Sequence, residues 1–368
     1  MLLFCPVNGH TREVARAGAL KFVLTQGVLS RLLVFISIFL VAPHIPLPRP
    51  EKPDFRPSFS WSQMNLWDGK WYEKIVTTGY EYRPDGREHD ITFFPLYPGL
   101  IWLVMRTGLG FAAAGTIISN IAFFGALFLL YQRTAEHHGN SAAQWAVAAM
   151  SWFPLSVLCS ATYSESVFLL LTLAFLQAFE KEHYWLATVL AALVGICRVP
   201  GITIVPTVLI VAFFKRLPWR AYLPALSACL ALGGFMAFQG FRFHDPLAFV
   251  HEQANWSQLT VSNILSKFYL PNNLFRILAG PAAVLLIWAV RGKLCRLDLL
   301  YAGFSLAIIL YTMRLGSVDR YVSGIGSMFV AAGLWLSQRP RLANVAIAIS
   351  AAALSFESFA WAWDHFLG

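Results

Sequence analysis

The chain has 368 residues, 57% hydrophobic and 13% charged, with a formal net charge of +9 and a mean hydropathy of +0.58. Soluble domains carry about 25% charged residues, so a soluble globular protein is excluded. A β-barrel is excluded as well, because apolar runs of roughly 15–21 residues recur without period-2 alternation. The composition predicts an all-α, polytopic transmembrane helical bundle of about 10–12 spans, forming a single integral membrane domain over residues 1–368. Much of the basic excess sits in short segments between apolar runs, where it sets orientation and carries no implication of nucleic-acid binding.

Arg12, Arg16 and Lys21 precede an apolar run from about Val28 to Ala42, which reads as a retained first span with a cytoplasmic N-terminus. Residues 43–110 then form a first non-cytoplasmic loop with short interfacial helices. Its start is rich in proline (Pro43, Pro46, Pro48, Pro50, Pro53, Pro57), which predicts extended chain. From Met64 to Thr78, Leu66, Tyr72, Ile75 and Val76, with Trp67 and Trp71, predict a short helix lying on the membrane. Further apolar segments lie at about 92–106, 111–131, 142–160, 163–180, 185–197, 199–214, 221–241, 276–290, 297–313, 321–337 and 345–361.

Basic clusters at Lys215, Arg216 and Arg220, at Arg291, Lys293 and Arg296, and at Arg339 and Arg341 should be cytoplasmic. Six apolar segments precede Lys215 where parity demands an odd number of crossings. The segment 92–106 is the weakest, being short and holding Pro95 and Pro98, so it is expected to be interfacial. The non-cytoplasmic face then gathers the first loop, Tyr163–Ser166, Arg198–Gly201, the loop after His244, and Ser317–Tyr321. Charges at membrane depth are costly and tend to be paired or functional, so one polar face above the bundle suggests a catalytic or binding cavity. The opposite half is expected to hold few polar groups.

Asp68 leads the candidates. Between Trp67 and Gly69, its carboxylate could take a proton from a hydroxyl nucleophile; it could equally cap the helix that follows. Glu88, His89 and Asp90 are metal ligands or assisting acids by type, and solvated loop charges by position. Glu165, beside Tyr163 and flanked by Ser164 and Ser166, reads as an acceptor-binding acid or as a helix-start residue among capping hydroxyls. Arg198, in a break between two short spans, suits phosphate recognition. Arg320 offers a similar charge, unless Asp319 neutralises it. Gln253, with His244, Asp245, His251 and Glu252, is a weaker loop candidate. The five cysteines, at 5, 159, 197, 229 and 295, show neither CxxC nor metal spacing. No nucleotide-binding, zinc-protease or serine-hydrolase motif stands in a suitable context.

In order, WDGKWYEKIVTTGY, FFPLYP, ATYSESVFLLL, GICRVPG and HDPLAFVHEQANW resemble bacterial members of the PIG-V family, the relatives of GPI mannosyltransferase II within the GT-C polytopic glycosyltransferases. The resemblance runs from about Trp67 to Trp256, with a looser echo at Asp319–Tyr321. It implies an inverting mannosyl transfer from a polyprenyl-phosphate donor to a glycolipid or glycan acceptor on the non-cytoplasmic face of a bacterial cytoplasmic membrane. It implies an essential Trp–Asp pair, here Trp67 and Asp68. Read from the residues themselves, the substrate-binding candidates are Trp67, Trp71, Tyr72, Glu88, His89, Asp90, Tyr163, Glu165, Arg198, Gln253 and Arg320. Bacteria generally build no GPI anchor, so the acceptor does not carry over, and a sugar other than mannose stays open. No resident cofactor is implied beyond the lipid-linked donor, a divalent metal stays open, and no protein partner is indicated. The competing reading is a transporter or flippase of lipid-linked sugars, which should carry polar residues into the cytoplasmic half.

Overall fold

The computed structural model describes residues 9–47, 54–256, 271–312, 317–365 and 367, and all regular structure among them is helical. Helix α1 (Gly9–Phe35) continues as a π-helical stretch to Val41 and stops where Pro43 can no longer donate an N–H. A 3₁₀ turn (Trp61–Met64) leads to α2 (Asp68–Thr78), another (Asp90–Thr92) to α3 (Leu96–Met105). Then come α4 (Phe111–His138), α5 (Asn140–Trp152), α6 (Glu165–Glu180), α7 (Tyr184–Gly195), α8 (Ile204–Lys215), α9 (Leu223–Phe243) and α10 (Ala248–Trp256). The chain ends with α11 (Pro271–Val290), α12 (Arg296–Thr312), α13 (Val318–Ser323), α14 (Gly326–Ser337) and α15 (Pro340–Ala362).

Four stretches are long and apolar enough to cross a membrane unaided: Gly18–Val41, Phe111–His138, Trp219–Phe243 and Pro340–Ala362. Shorter apolar helices, including α3, α7 and α14, pack among them. At 10 residues α3 is about 15 Å long, half of what a crossing needs.

Two expected spans are broken. The run 142–160 divides after Trp152, where Pro154 ends the α-helical ladder and a buried 3₁₀ segment (Pro154–Cys159) follows. Arg31, inside α1 and 4% exposed, holds that break. Its guanidinium donates to Ser156 O at 2.6 Å, Ser156 Oγ at 2.7 Å, Ser160 Oγ at 3.1 Å and Ser151 O at 3.3 Å, and it lies over the Phe123 ring. Five oxygen and ring contacts replace the water that a cation would otherwise need at this depth. The run 321–337 divides at Gly324–Ile325 into α13 and α14, which turns Asp319 and Arg320 inward.

Helices α4 and α6 run parallel. Their starts meet around Gly115, Thr162 and Tyr163, and their ends meet where Arg133 bonds Glu180 at 2.5 Å. Arg133 also donates to Asp298 at 2.7 Å, and Asp298 accepts from Ser327 at 2.6 Å and from the Cys295 thiol at 2.8 Å. This brace joins α4, α6, α12 and α14. It corrects the expectation that the half away from the first loop holds few polar groups. The charges escaped notice because each sits near the end of an apolar run and pairs only across sequence distance.

Removing one member of a buried ion cluster strands the others, at a cost of about 3–5 kcal/mol. Asp298→Ala should therefore unfold at clearly lower temperature in detergent. Lys181→Ala breaks only an exposed pair with Glu136 and should shift stability by less than about 1 kcal/mol.

Candidate functional site

The first polar loop is fastened to the 159–165 corner before any charge is considered. Thr162 donates its backbone N–H to Met64 O at 3.0 Å and its hydroxyl to Asn65 Oδ1 at 2.9 Å; Asn65 in turn donates to Glu73 at 2.6 Å. Trp361, from α15, donates to Gln63 O at 2.9 Å and packs its ring edge-on against Tyr163. Gly69 fits here because a Cβ would lie 2.2 Å from Thr162 Oγ1 and 2.5 Å from Asn65 Oδ1. Trp67 turns the chain into α2 with φ 51 and ψ −116, a conformation that L residues rarely adopt. The Tyr163 hydroxyl accepts the Asp68 backbone N–H at 3.1 Å.

The Asp68 side chain does not cap α2. Trp67 occupies the cap position, and the Asp68 carboxylate instead accepts from Arg320 Nη1 at 2.6 Å. Arg320 Nε donates to Glu165 Oε1 at 2.5 Å, and Arg198 Nη1 approaches the same oxygen at 2.6 Å. One buried carboxylate thus joins two buried guanidiniums, and that of Arg320 also reaches Asp68. Asp319 does not absorb Arg320 as the sequence allowed: it accepts that residue's backbone N–H at 2.9 Å, leaving the guanidinium directed at Asp68 and Glu165. Aromatic faces flank both cations, with Tyr163 4.7 Å from Arg320 and Tyr321 5.3 Å from Arg198.

The serines around Glu165 are not caps either. Ser164 accepts from the Tyr72 hydroxyl at 2.9 Å, and Ser166 donates to Cys159 O at 2.9 Å. Arg198 is set by a tight corner after α7: Cys197 N–H donates to Val194 O and Gly201 N–H to Arg198 O. A Cβ on Gly201 would sit 2.4 Å from Val194 O, so the corner closes only around glycine. Leu96 N–H donates to Ile196 O at 3.1 Å, which ties α3 to the same corner.

Other predicted residues lie apart from this chain of charges. Asp90 is buried, accepts from the Glu81 N–H at 2.8 Å and faces Lys74 at 3.4 Å. Burial raises its carboxyl above the ordinary range despite those two contacts. His89 donates its backbone N–H to Glu252 at 2.7 Å, clasping the loop to α10. Gln253 is half-buried on that helix, next to Glu252. Glu88 is exposed; partial burial and then the charges of Glu252 and Asp68 push its carboxyl up. Trp71 stacks on Phe93, and Tyr72 packs edge-on against Phe93 and Tyr97. Among the described residues, no group of three or more His, Cys, Asp or Glu side chains is arranged to hold a metal ion, and Cys159, Cys197, Cys229 and Cys295 are free. Cys5 lies outside the described residues.

Sequence reasoning missed Thr162, Asn65 and Glu73, whose polar types are ordinary for a loop. It also missed Arg31, for which a cation within an apolar run was the available signal.

No family model matches the sequence, and no curated protein matches it. Among solved structures, the chain is similar to ArnT from Cupriavidus metallidurans bound to undecaprenyl phosphate, with TM-score 0.56 and 16% identity over 90% of this chain and 64% of that one. The chain therefore spans less than two thirds of ArnT. Two structures of the Archaeoglobus fulgidus oligosaccharyltransferase, one tethered with an acceptor peptide and one in the apo form, align with TM-score 0.47 at 13% identity, covering 94% and 92% of this chain and 55% of each of theirs. At 16% identity the ArnT likeness shows the fold: a helical membrane architecture similar to that of GT-C glycosyltransferases.

Gly69→Ala should push Thr162 and Asn65 apart and tilt the start of α2. Overpacking of this kind costs about 1–3 kcal/mol. A fall in thermal stability, with Ser at Thr162 restoring none of it, would match the geometry; full stability would show that the corner yields.

Proposed function

We propose that the chain is a GT-C-type inverting glycosyltransferase. It transfers a sugar, mannose by the PIG-V resemblance, from a polyprenyl-phosphate donor to a hydroxyl of a glycolipid or glycan acceptor. The active site faces the periplasmic side of a bacterial cytoplasmic membrane. The observation that carries this reading is a carboxylate still partly open to solvent, Asp68, placed against the guanidinium of Arg320, which shares one buried acid, Glu165, with Arg198. A fold similar to that of a protein solved with undecaprenyl phosphate supports the donor class.

Asp68 accepts the proton of the acceptor hydroxyl as that oxygen bonds to the anomeric carbon. The bond from that carbon to the phosphate oxygen breaks, and its electron pair leaves on the polyprenyl phosphate. Arg198 and Arg320 neutralise the charge that grows there. A single displacement inverts the anomeric centre. Afterwards Asp68 returns its proton to water. Trp67 and Trp71, both half-buried beside the site, offer indole faces to the sugar, whereas Tyr72 and Tyr163 are buried and hold the backbone and Ser164 in place.

A transporter no longer stands refuted by an apolar second half, since Arg133, Glu180 and Asp298 lie there. Those groups are joined to one another in a closed brace, which is a fastening and offers no ladder of sites for a passing headgroup.

Transfer of labelled mannose from polyprenyl-phosphate-mannose to membrane lipids should fall by about 10²–10⁴-fold in Asp68→Asn, the usual contribution of a general base. Equal transfer by both proteins would remove Asp68 from that role. Orientation is tested separately with single cysteines in a cysteine-free background. Lys70→Cys should react with an impermeant thiol reagent from the outer face, and Glu136→Cys only after the membrane is opened. The same accessibility at both positions would overturn the topology.

A further inference from the structure

We propose that Asp68 and the donor phosphate compete for Arg320, so that donor arrival is what frees Asp68 to act as a base. This rests on the transferase reading above.

Arg320 holds both acids at once, Asp68 through Nη1 at 2.6 Å and Glu165 through Nε at 2.5 Å. The two contacts differ in access. Glu165 is 2% exposed and held by both guanidiniums, whereas the Asp68 side chain is 14% exposed. A ligand reaching Arg320 from solvent therefore meets the Asp68 side first. On the far side, Arg198 is 8% exposed, yet its buried Nη1 donor makes no well-aligned hydrogen bond. Buried polar atoms left in that state are costly. The cluster is thus built to be completed by an acceptor such as a phosphate monoester, which can take bonds from two guanidiniums.

Charge counting then requires an exchange. Among the described residues, the carboxylates of Asp68 and Glu165 pair with the guanidiniums of Arg198 and Arg320, and buried Asp319 adds a further acid beside Arg320. A phosphate brought to those guanidiniums adds another anion in a poorly solvated site, where like charges repel strongly. Glu165 cannot leave, because it is enclosed. Asp68 can, because its side chain is the one open to solvent. Its carboxylate oxygen is occupied by Arg320 until the leaving group is seated, and the order of binding is donor first, acceptor second. Glu165 acts as a positioning residue that keeps both guanidiniums in place during the exchange.

The test is binding and needs no sugar transfer. Purified full-length protein in detergent is titrated with undecaprenyl phosphate, and in a parallel arm with inorganic phosphate, following intrinsic tryptophan fluorescence. Asp68→Asn and Asp68→Ala, two variants that differ in how they fill the site, should both bind undecaprenyl phosphate about tenfold more tightly than wild type, as expected for loss of one competing charged hydrogen bond. Arg320→Lys should bind more weakly. The same ranking with inorganic phosphate assigns the effect to the headgroup; a ranking seen only with the lipid means that the chain is needed to seat it. Unchanged or weaker binding by both Asp68 variants overturns the competition while leaving Asp68 as base to be judged by transfer. Absence of binding to every protein would remove the donor class and the competition together.

Discussion

The structure depends on one buried carboxylate. Glu165 stands at the head of α6 and binds two guanidiniums that arrive from opposite directions along the chain, Arg198 from the corner after α7 and Arg320 from the short helix α13. Neither cation could sit at that depth alone, since an unpaired charge in a poorly solvated site costs several kcal/mol or more. The acid therefore decides where two separate segments meet. Arg320 then extends the arrangement to the first loop by reaching Asp68, and Tyr163 fixes the backbone of the same residue. The proposed chemistry and the assembly draw on the same four side chains.

The polar corners around this cluster explain why the helices are short and broken. Pro154, Pro200 and Gly324 interrupt apolar runs that would otherwise span, and each interruption leaves backbone groups that must be satisfied inside the protein. Arg31 does this for the 153–160 break by donating to Ser151 and Ser156 carbonyls. Thr162 and Met64 do it where the loop meets the α6 corner. Irregular backbone at membrane depth is tolerated where protein encloses it, and here it also brings polar side chains to one face.

Much of the architecture was legible in the sequence, because long apolar runs in a chain with few charges leave no other fold. The shortness of α3 followed from its prolines and its bounds in the sequence. The divisions at Pro154 and at Gly324–Ile325 were not seen, since hydropathy averages over a break of one or two residues. At the site, Asp68, Glu165, Arg198 and Arg320 could each be singled out as costly charges near apolar sequence. Their pairing could not: Asp68 and Arg320 are 252 residues apart, and local alternatives such as an Asp68 cap or an Asp319–Arg320 pair were chemically sound. His89 and Asp90 show the reverse case, where acid–imidazole chemistry suggested a site and the residues serve a loop clasp with Glu252 and Lys74. The Arg133 brace was hidden for the same reason as the Asp68 pair, its partners being distant in sequence.

The parallel run of α4 and α6 makes the two buried ion clusters the ends of a gauge. From Gly115 to Arg133 is 18 residues and from Glu165 to Glu180 is 15, about 27 Å and 22 Å at 1.5 Å per residue. A hydrocarbon core is about 30 Å thick, so these two helices separate the clusters by most of that thickness. Under the proposed function, a phosphate anchored in the lipid travels at the boundary of that core. A strut of this length would then hold Arg198 and Arg320 in the plane in which that headgroup diffuses, and an encounter would be a search in two dimensions.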